Sequence, residues 1–411
     1  MIFFPILYIN DANCSKETQE TEQQAKNKEF DMFEDWYLED LLDKNVKTMW
    51  PLTDKYLLQL IKKVFDRIGI SEDLKDFISI QQIMEKYNYV EKADRMLRWD
   101  LERLKFDDYI ESKEENGTVF YKYTSKEMPT DYEEIYNWCN NEDPRSIHAF
   151  KLLTLVADNY EDILEGKTSG VNVIYSPENI HIINEYYQYG LFYTVNNVLG
   201  GKVLNYEVDK RDNPKILELG GGLGSGTKQF LSQRKDAGKD LKSFVYNFTD
   251  VTNSMLRKTK KPIEEITGDL SNFEFNKHDF NKSLEELGLE EEQYDIIWAV
   301  NAIHVATNLK FTLQQLYRLL KPKGTLLIVE TVRPLYCPWV QHEFIINSLD
   351  DYGNVELNDE WRPVHGFMRW TNWVKAVEAG GFDIVDTVPN MAEVEKRYNN
   401  CYATVIRGQK K

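Results

Sequence analysis

The stretch Lys215-Ile-Leu-Glu218-Leu-Gly220-Gly221-Gly222-Leu223-Gly224-Ser225-Gly226 constrains the fold more than any other part of this chain. A run of apolar, β-prone residues delivers an acid, and a turn of glycines then opens a helix predicted over Thr227–Ser232. Missing Cβ atoms let the backbone take positive φ and approach a ligand closely. Strand, glycine turn and helix in that order are the start of a parallel α/β sheet. The same alternation continues to the end of the chain, with strands predicted over 215–219, 244–249, 273–277, 294–300, 324–329, 383–388 and 402–407. The expected fold is α/β, a Rossmann-like and mostly parallel seven-stranded sheet whose last two strands pair as a hairpin.

Upstream of the sheet the texture is different. Apolar residues recur at helical spacing from Leu57 to Ile68, and Ser79 offers a polar start for a helix over 80–87. A third helix over 92–104 turns Met96, Leu97, Trp99, Leu101 and Leu104 inward. Asn116-Gly117 between two β-prone runs predicts a hairpin. Three helices and a hairpin make a winged-helix-like pattern, which serves either DNA binding or a dimer arm or lid ahead of a catalytic domain. The third helix balances Lys92, Arg95 and Arg98 against Glu91, Asp94, Asp100 and Glu102, and the chain carries a net charge of −18, so a nucleic-acid partner is not expected. The predicted division is a disordered leader at 1–30, the winged-helix-like region at 31–145, a helical connector or lid at 146–200, and the ligand-binding domain at 201–411. Four cysteines without CxxC spacing suit a reducing compartment, and no segment has the length of a membrane span, so a cytoplasmic protein, monomeric or homodimeric, is expected.

The glycine turn alone is compatible with NAD or FAD. Glu218, two residues before Gly220, argues for another ligand. A pyrophosphate at the helix start would be repelled by this acid, whereas the ammonium and sulfonium of S-adenosylmethionine (SAM) would be attracted. Gly220, Gly222 and Gly224 then form the cradle. Asp250, at the end of the second strand, is placed for ribose hydroxyls, with Val251 beside it. Asp279 and Phe280 follow the third strand near the expected adenine. Each aspartate also suits a helix N-cap. The fourth strand ends in Asn301-Ala-Ile-His304-Val-Ala-Thr307 and the fifth in Glu330. Ligands bind at the carboxyl ends of strands in such sheets. A histidine there is a candidate base, and the neighbouring carboxylate a candidate orienter of it.

Four segments resemble the C-methyltransferase domains of polyketide synthases: Ile216–Thr227, Tyr246–Thr252, Tyr294–Thr307 and Leu319–Glu330. The similarity spans roughly residues 150–390 and implies the class I Rossmann-like methyltransferase fold. It also implies a catalytic dyad of His304 and Glu330, with Asn301 at the same edge. Leu223 and Ser225 depart from the Thr and Gly commoner in that family. The implied substrate is a small acyl group, β-ketoacyl or malonyl, borne by an acyl carrier protein or synthase module. Tyr187, in the aromatic run 186–193, and Arg362 are the candidate substrate contacts. Gln341-His342-Glu343 and the segment 361–367 look similar to a loading-module subgroup that holds one metal ion. On that likeness His304, His342 and Gln341 are candidate ligands for Fe, Mn or Zn. Two other readings stay open: an O- or N-methyltransferase of free small molecules, and a non-catalytic winged-helix regulator that senses SAM.

Overall fold

A computed structural model describes residues 44–335, 337, 339–398 and 401–411. The expected leader at 1–30 lies outside them.

The amino-terminal part begins with α1 (Lys44–Ile68), whose apolar stripe from Leu57 to Ile68 is buried. The two-residue strand β1 (Ile78–Ser79) runs into α2 (Ile80–Tyr87). Ser79 starts that helix through a reciprocal cap, accepting from the Gln82 amide while the Gln82 side chain accepts from its own. Next come α3 (Ala93–Phe106), β2 (Ile110–Glu115) and β3 (Thr118–Tyr123). Asn116 and Gly117 both take positive φ, 53° and 77°, as a two-residue hairpin requires. The strands form a small sheet in the order β1-β3-β2, completing a winged-helix arrangement.

In this chain α3 is used to hold the molecule together. Arg95 donates to the carbonyls of Asn347 and Leu349 at 2.9 Å, and Lys92 pairs with Asp350 at 2.7 Å. Trp99 donates at 3.0 Å to the buried carboxylate of Glu343, which also takes Arg333 at 2.8 Å. The face that would enter a DNA groove is therefore partly committed to the second half of the chain.

Helices α4 (Ile147–Asp158), α5 (Ile180–Tyr189) and α6 (Leu191–Asp209) lead into the large sheet. Position 200/201, where the sequence suggested a boundary, lies inside α6, which packs on the sheet. The sheet is built in sequence from β4 (Lys215–Leu219), α7 (Ser225–Asp236), β5 (Val245–Asp250), α8 (Asn253–Thr267), β6 (Phe273–Lys277) and β7 (Tyr294–Val300). It continues with α9 (Leu309–Leu319), β8 (Leu320–Thr331), α10 (His342–Ile346), α11 (Trp370–Ala379), β9 (Asp383–Val388) and β10 (Ala403–Gln409). Strand order is β6-β5-β4-β7-β8-β10-β9, with β10 antiparallel to both neighbours and the remaining pairs parallel. This is the expected Rossmann-like sheet with its closing antiparallel pair. Its order reverses at β4, and such a switch point opens a crevice at the carboxyl ends of the strands. Among the described residues no helix is long and apolar enough to cross a membrane.

Candidate active site

The glycine turn sits in that crevice. Gly220, Gly222 and Gly224 take φ of 60°, 54° and 73°, which residues with a Cβ rarely adopt. Strands β4 and β5 are stitched to it: the Gly221 amide donates to the Thr249 carbonyl at 2.8 Å and the Gly222 amide to Asp250 Oδ2 at 3.0 Å. A Cβ on Gly220 would lie 2.8 Å from that of Ala302, and one on Gly224 only 2.5 Å from Thr259. At Gly222 it would meet open space, with the Gly220 carbonyl nearest at 3.9 Å. The turn is thus wedged tightly into the fold and open at one point.

The carboxylates expected around this opening are placed differently from one another. Asp250 is buried and spends both oxygens locally, on Gly222 and on the Thr252 amide at 2.8 Å. Val251 beside it is an exposed apolar residue. Asp279 is half-buried and accepts from the Asn281 amide at 3.1 Å, and the Phe280 ring lies near Gly220. Glu218 is buried under the turn, where Tyr246 donates to it at 2.8 Å and Thr227 donates to the same oxygen. Burial pushes its pKa up to about 7 from an ordinary 4.5, more than these two hydrogen bonds pull it down. The folded chain therefore holds this proton longer than the unfolded chain. Stability falls as pH rises from about 4.5 to about 7, and the loss is complete above that window. Glu218→Gln is expected to raise Tm relative to the native chain at pH 8 and not at pH 4.5, measured without ligand. Equal differences at both pH values would remove Glu218 as the cause.

At the next two strand ends the predicted dyad is formed. His304, on a short 3₁₀ turn (Ile303–Val305), places Nδ1 2.9 Å from Glu330 Oε2, with both side chains buried. Asn301 sets up that turn. Its φ is 46°, its amide donates to the Val329 carbonyl at 2.8 Å, and its Oδ1 accepts from the Thr331 amide at 2.7 Å. The ends of β7 and β8 are so tied together, leaving the Asn301 Nδ2 and the Glu330 Oε1 buried without protein partners. Buried polar atoms of this kind need an explanation, and a polar ligand is one.

Arg362 is almost fully buried, and its guanidinium clamps the same turn, donating to the carbonyls of His304 and, at 2.7 Å, Ala306. Burial lowers its pKa to about 10, which leaves it cationic at neutral pH. Tyr352 and Phe367, which the sequence reading did not assign, flank His304 with ring centroids 6.4 and 5.0 Å away. The Tyr352 hydroxyl is buried and unpartnered. Nothing local in the sequence marks it, since the loop that carries it follows the dyad by dozens of residues.

The run 186–193 folds into an aromatic cage. Tyr187 meets Tyr193 edge-on at 4.7 Å, and Tyr186 stacks on His342 at 5.3 Å. His342 is buried with neither ring nitrogen partnered, and burial with the nearby His304 pushes its pKa down to about 3. It borders a cavity of about 40 Å³ shared with Trp50, Phe192 and Tyr402. Nothing among the described residues supports the proposed metal ligands in that role. His304 Nδ1 is taken by Glu330, which leaves its Nε2, the Gln341 Nε2 donates to the Trp50 carbonyl at 3.2 Å, and His342 packs among aromatic rings. Among the described residues no three of His, Cys, Asp and Glu gather as a metal would need.

Residues 217–326 match a family described as a methyltransferase domain. With the sheet order and the glycine turn, that match makes this part of the chain a methyltransferase domain of Rossmann-like fold. The resemblance read from the motifs is borne out in the comparisons. The chain is similar to the CurJ carbon methyltransferase, with a TM-score of 0.74 at 19% identity over 92% of this chain and 97% of that one. It is also similar to the citrinin polyketide synthase CMeT domain, with a TM-score of 0.73 at 20% identity over 92% and 94% of the two chains. In sequence it is 26% identical over 245 residues to the polyketide synthase-like protein Preu9 of Preussia isomera, 58% of this chain and 10% of that protein. The chain spans a tenth or less of the length of the first curated relatives it matches.

Proposed function

We propose that this enzyme methylates the α-carbon of a β-ketoacyl or malonyl thioester carried on the phosphopantetheine arm of an acyl carrier protein, in polyketide or related natural-product assembly. The observation that carries this reading is the buried His304–Glu330 pair, 2.9 Å apart beside the glycine turn. Nδ1–H donates to the Glu330 carboxylate, which leaves Nε2 unprotonated and able to accept a proton from carbon. Glu330 then faces the imidazolium and offsets its charge. Arg362 keeps the turn, and so the ring, in register with the strand ends. The backbone of Gly220–Gly224 supplies a close-fitting wall, with Glu218, Asp250, Val251, Asp279, Phe280 and Asn301 around it as the cofactor contacts. Bound SAM supplies an electrophilic methyl group next to the deprotonated carbon. The cage with Tyr187 limits water, so the carbanion meets the methyl group before it is reprotonated.

C-methyl transfer makes a definite demand on the product. Acetoacetyl carrier protein incubated with enzyme and SAM is expected to gain one methyl by intact-protein mass spectrometry, located on C2 by NMR of the released acid. Turnover of free phenols or amines with no gain on the acyl group would overturn the reading in favour of O- or N-methylation.

A further inference from the structure

Outside the crevice, an open groove of about 640 Å³ runs between α5, α7 and α8, with Leu223 of the glycine turn on its wall. Each helix contributes polar residues at spacings that keep them on one face: His181, Asn184 and Gln188 from α5, Lys228, Ser232 and Lys235 from α7, and Lys258 from α8. In a chain of net charge −18 this is a place where cations gather. Its acids are Asp236 and Glu265, and Glu265 is already shared with Lys261 at 4.0 Å.

Lys228 is the informative group. It is only partly exposed, and its Nζ donates at 3.0 Å to the neutral Gln188 amide oxygen. Burial lowers its pKa, and no neighbouring acid offsets that. A partly desolvated ammonium without a carboxylate is held at a cost unless an anion completes it. Helix α5 turns Tyr186 and Tyr187 into the cage on its other side, so the groove and the cage are about one helix diameter apart, roughly 10 Å.

We propose that this groove binds the phosphodiester of the phosphopantetheine arm, with Lys228 and Lys258 as its cationic contacts. The inference rests on the carrier-bound substrate proposed above and names where the arm is gripped. Compact ammonium groups suit a phosphate as point charges.

Acetoacetyl-pantetheine and acetoacetyl-4′-phosphopantetheine differ only in the phosphoryl group, and both are assayed with the full chain and SAM. The native chain is expected to show about tenfold higher kcat/KM for the phosphorylated thioester, which corresponds to about 1.4 kcal/mol. Lys228→Ala and the exposed Lys258→Ala should each erase most of that preference through KM, while turnover of acetoacetyl-pantetheine stays as in the native chain. No preference in the native chain, or a preference that both variants keep, overturns the groove as the phosphate site and leaves the C-methylation reading standing. If the native chain methylates neither thioester, the parent reading falls and this inference with it.

Discussion

His304→Ala should bind SAM within about twofold of the native affinity and lose about 10²- to 10⁴-fold in kcat, the usual worth of a positioned general base. The imidazole is buried and its Nδ1 is engaged by Glu330, so the ring has one free nitrogen to offer a substrate. Truncation removes that nitrogen and leaves the glycine turn, which is held by Thr249 and Asp250, undisturbed. Glu330→Gln should fall by a comparable order. An amide NH₂ facing Nδ1 would favour the tautomer with its proton on Nε2, where a base must be bare. Titration calorimetry for SAM alongside single-turnover methyl transfer separates the two effects. Native turnover in His304→Ala would remove this histidine from the chemistry.

Arg362→Ala should destabilise the fold by about 2–4 kcal/mol, since charge-assisted hydrogen bonds are lost and two buried carbonyls are left bare. The guanidinium reaches the His304 and Ala306 carbonyls together, so its loss frees the turn that aims the imidazole. A fall in kcat of roughly 10- to 100-fold is expected, with KM for SAM little changed. Arg362→Lys should rescue poorly, because one ammonium cannot reproduce a planar fork across two acceptors. Denaturant melts and kinetics on ketoacyl and malonyl thioesters test this. A loss seen only in KM, and only for malonyl thioesters, would return Arg362 to the role of substrate-carboxylate partner. A variant with native Tm and kcat would exclude both roles.

Much of the framework is legible without coordinates because it depends on short-range rules. Asn116-Gly117 produces its hairpin, Ser79 and Gln82 their reciprocal cap, and Gly220–Gly224 their positive-φ turn, each from a few neighbouring residues. The strands are readable as apolar runs since parallel strands are covered on both faces. His304 and Glu330 can be paired from sequence for a related reason. Glu330 lies at the end of its strand and His304 on the short turn just past the end of the neighbouring one, and the parallel register brings them together.

The metal set stays without support where that reasoning has no purchase. His342 starts α10 and Gln341 immediately precedes it, beyond β8, and the tertiary packing of α1, α4 and the cage decides that His342 is boxed by rings and Gln341 turns to Trp50. Arg362 was read as a candidate substrate contact, and long-range folding places its guanidinium under the His304 turn. Tyr352 reaches the dyad by the same route.

By itself, then, the order of residues determined the sheet, the turn and the dyad, because periodicity, φ preference and strand succession act between neighbours in the chain. Which side chains surround the dyad was decided only in three dimensions, where segments dozens of residues apart compete to fill one desolvated space and burial selects the winners.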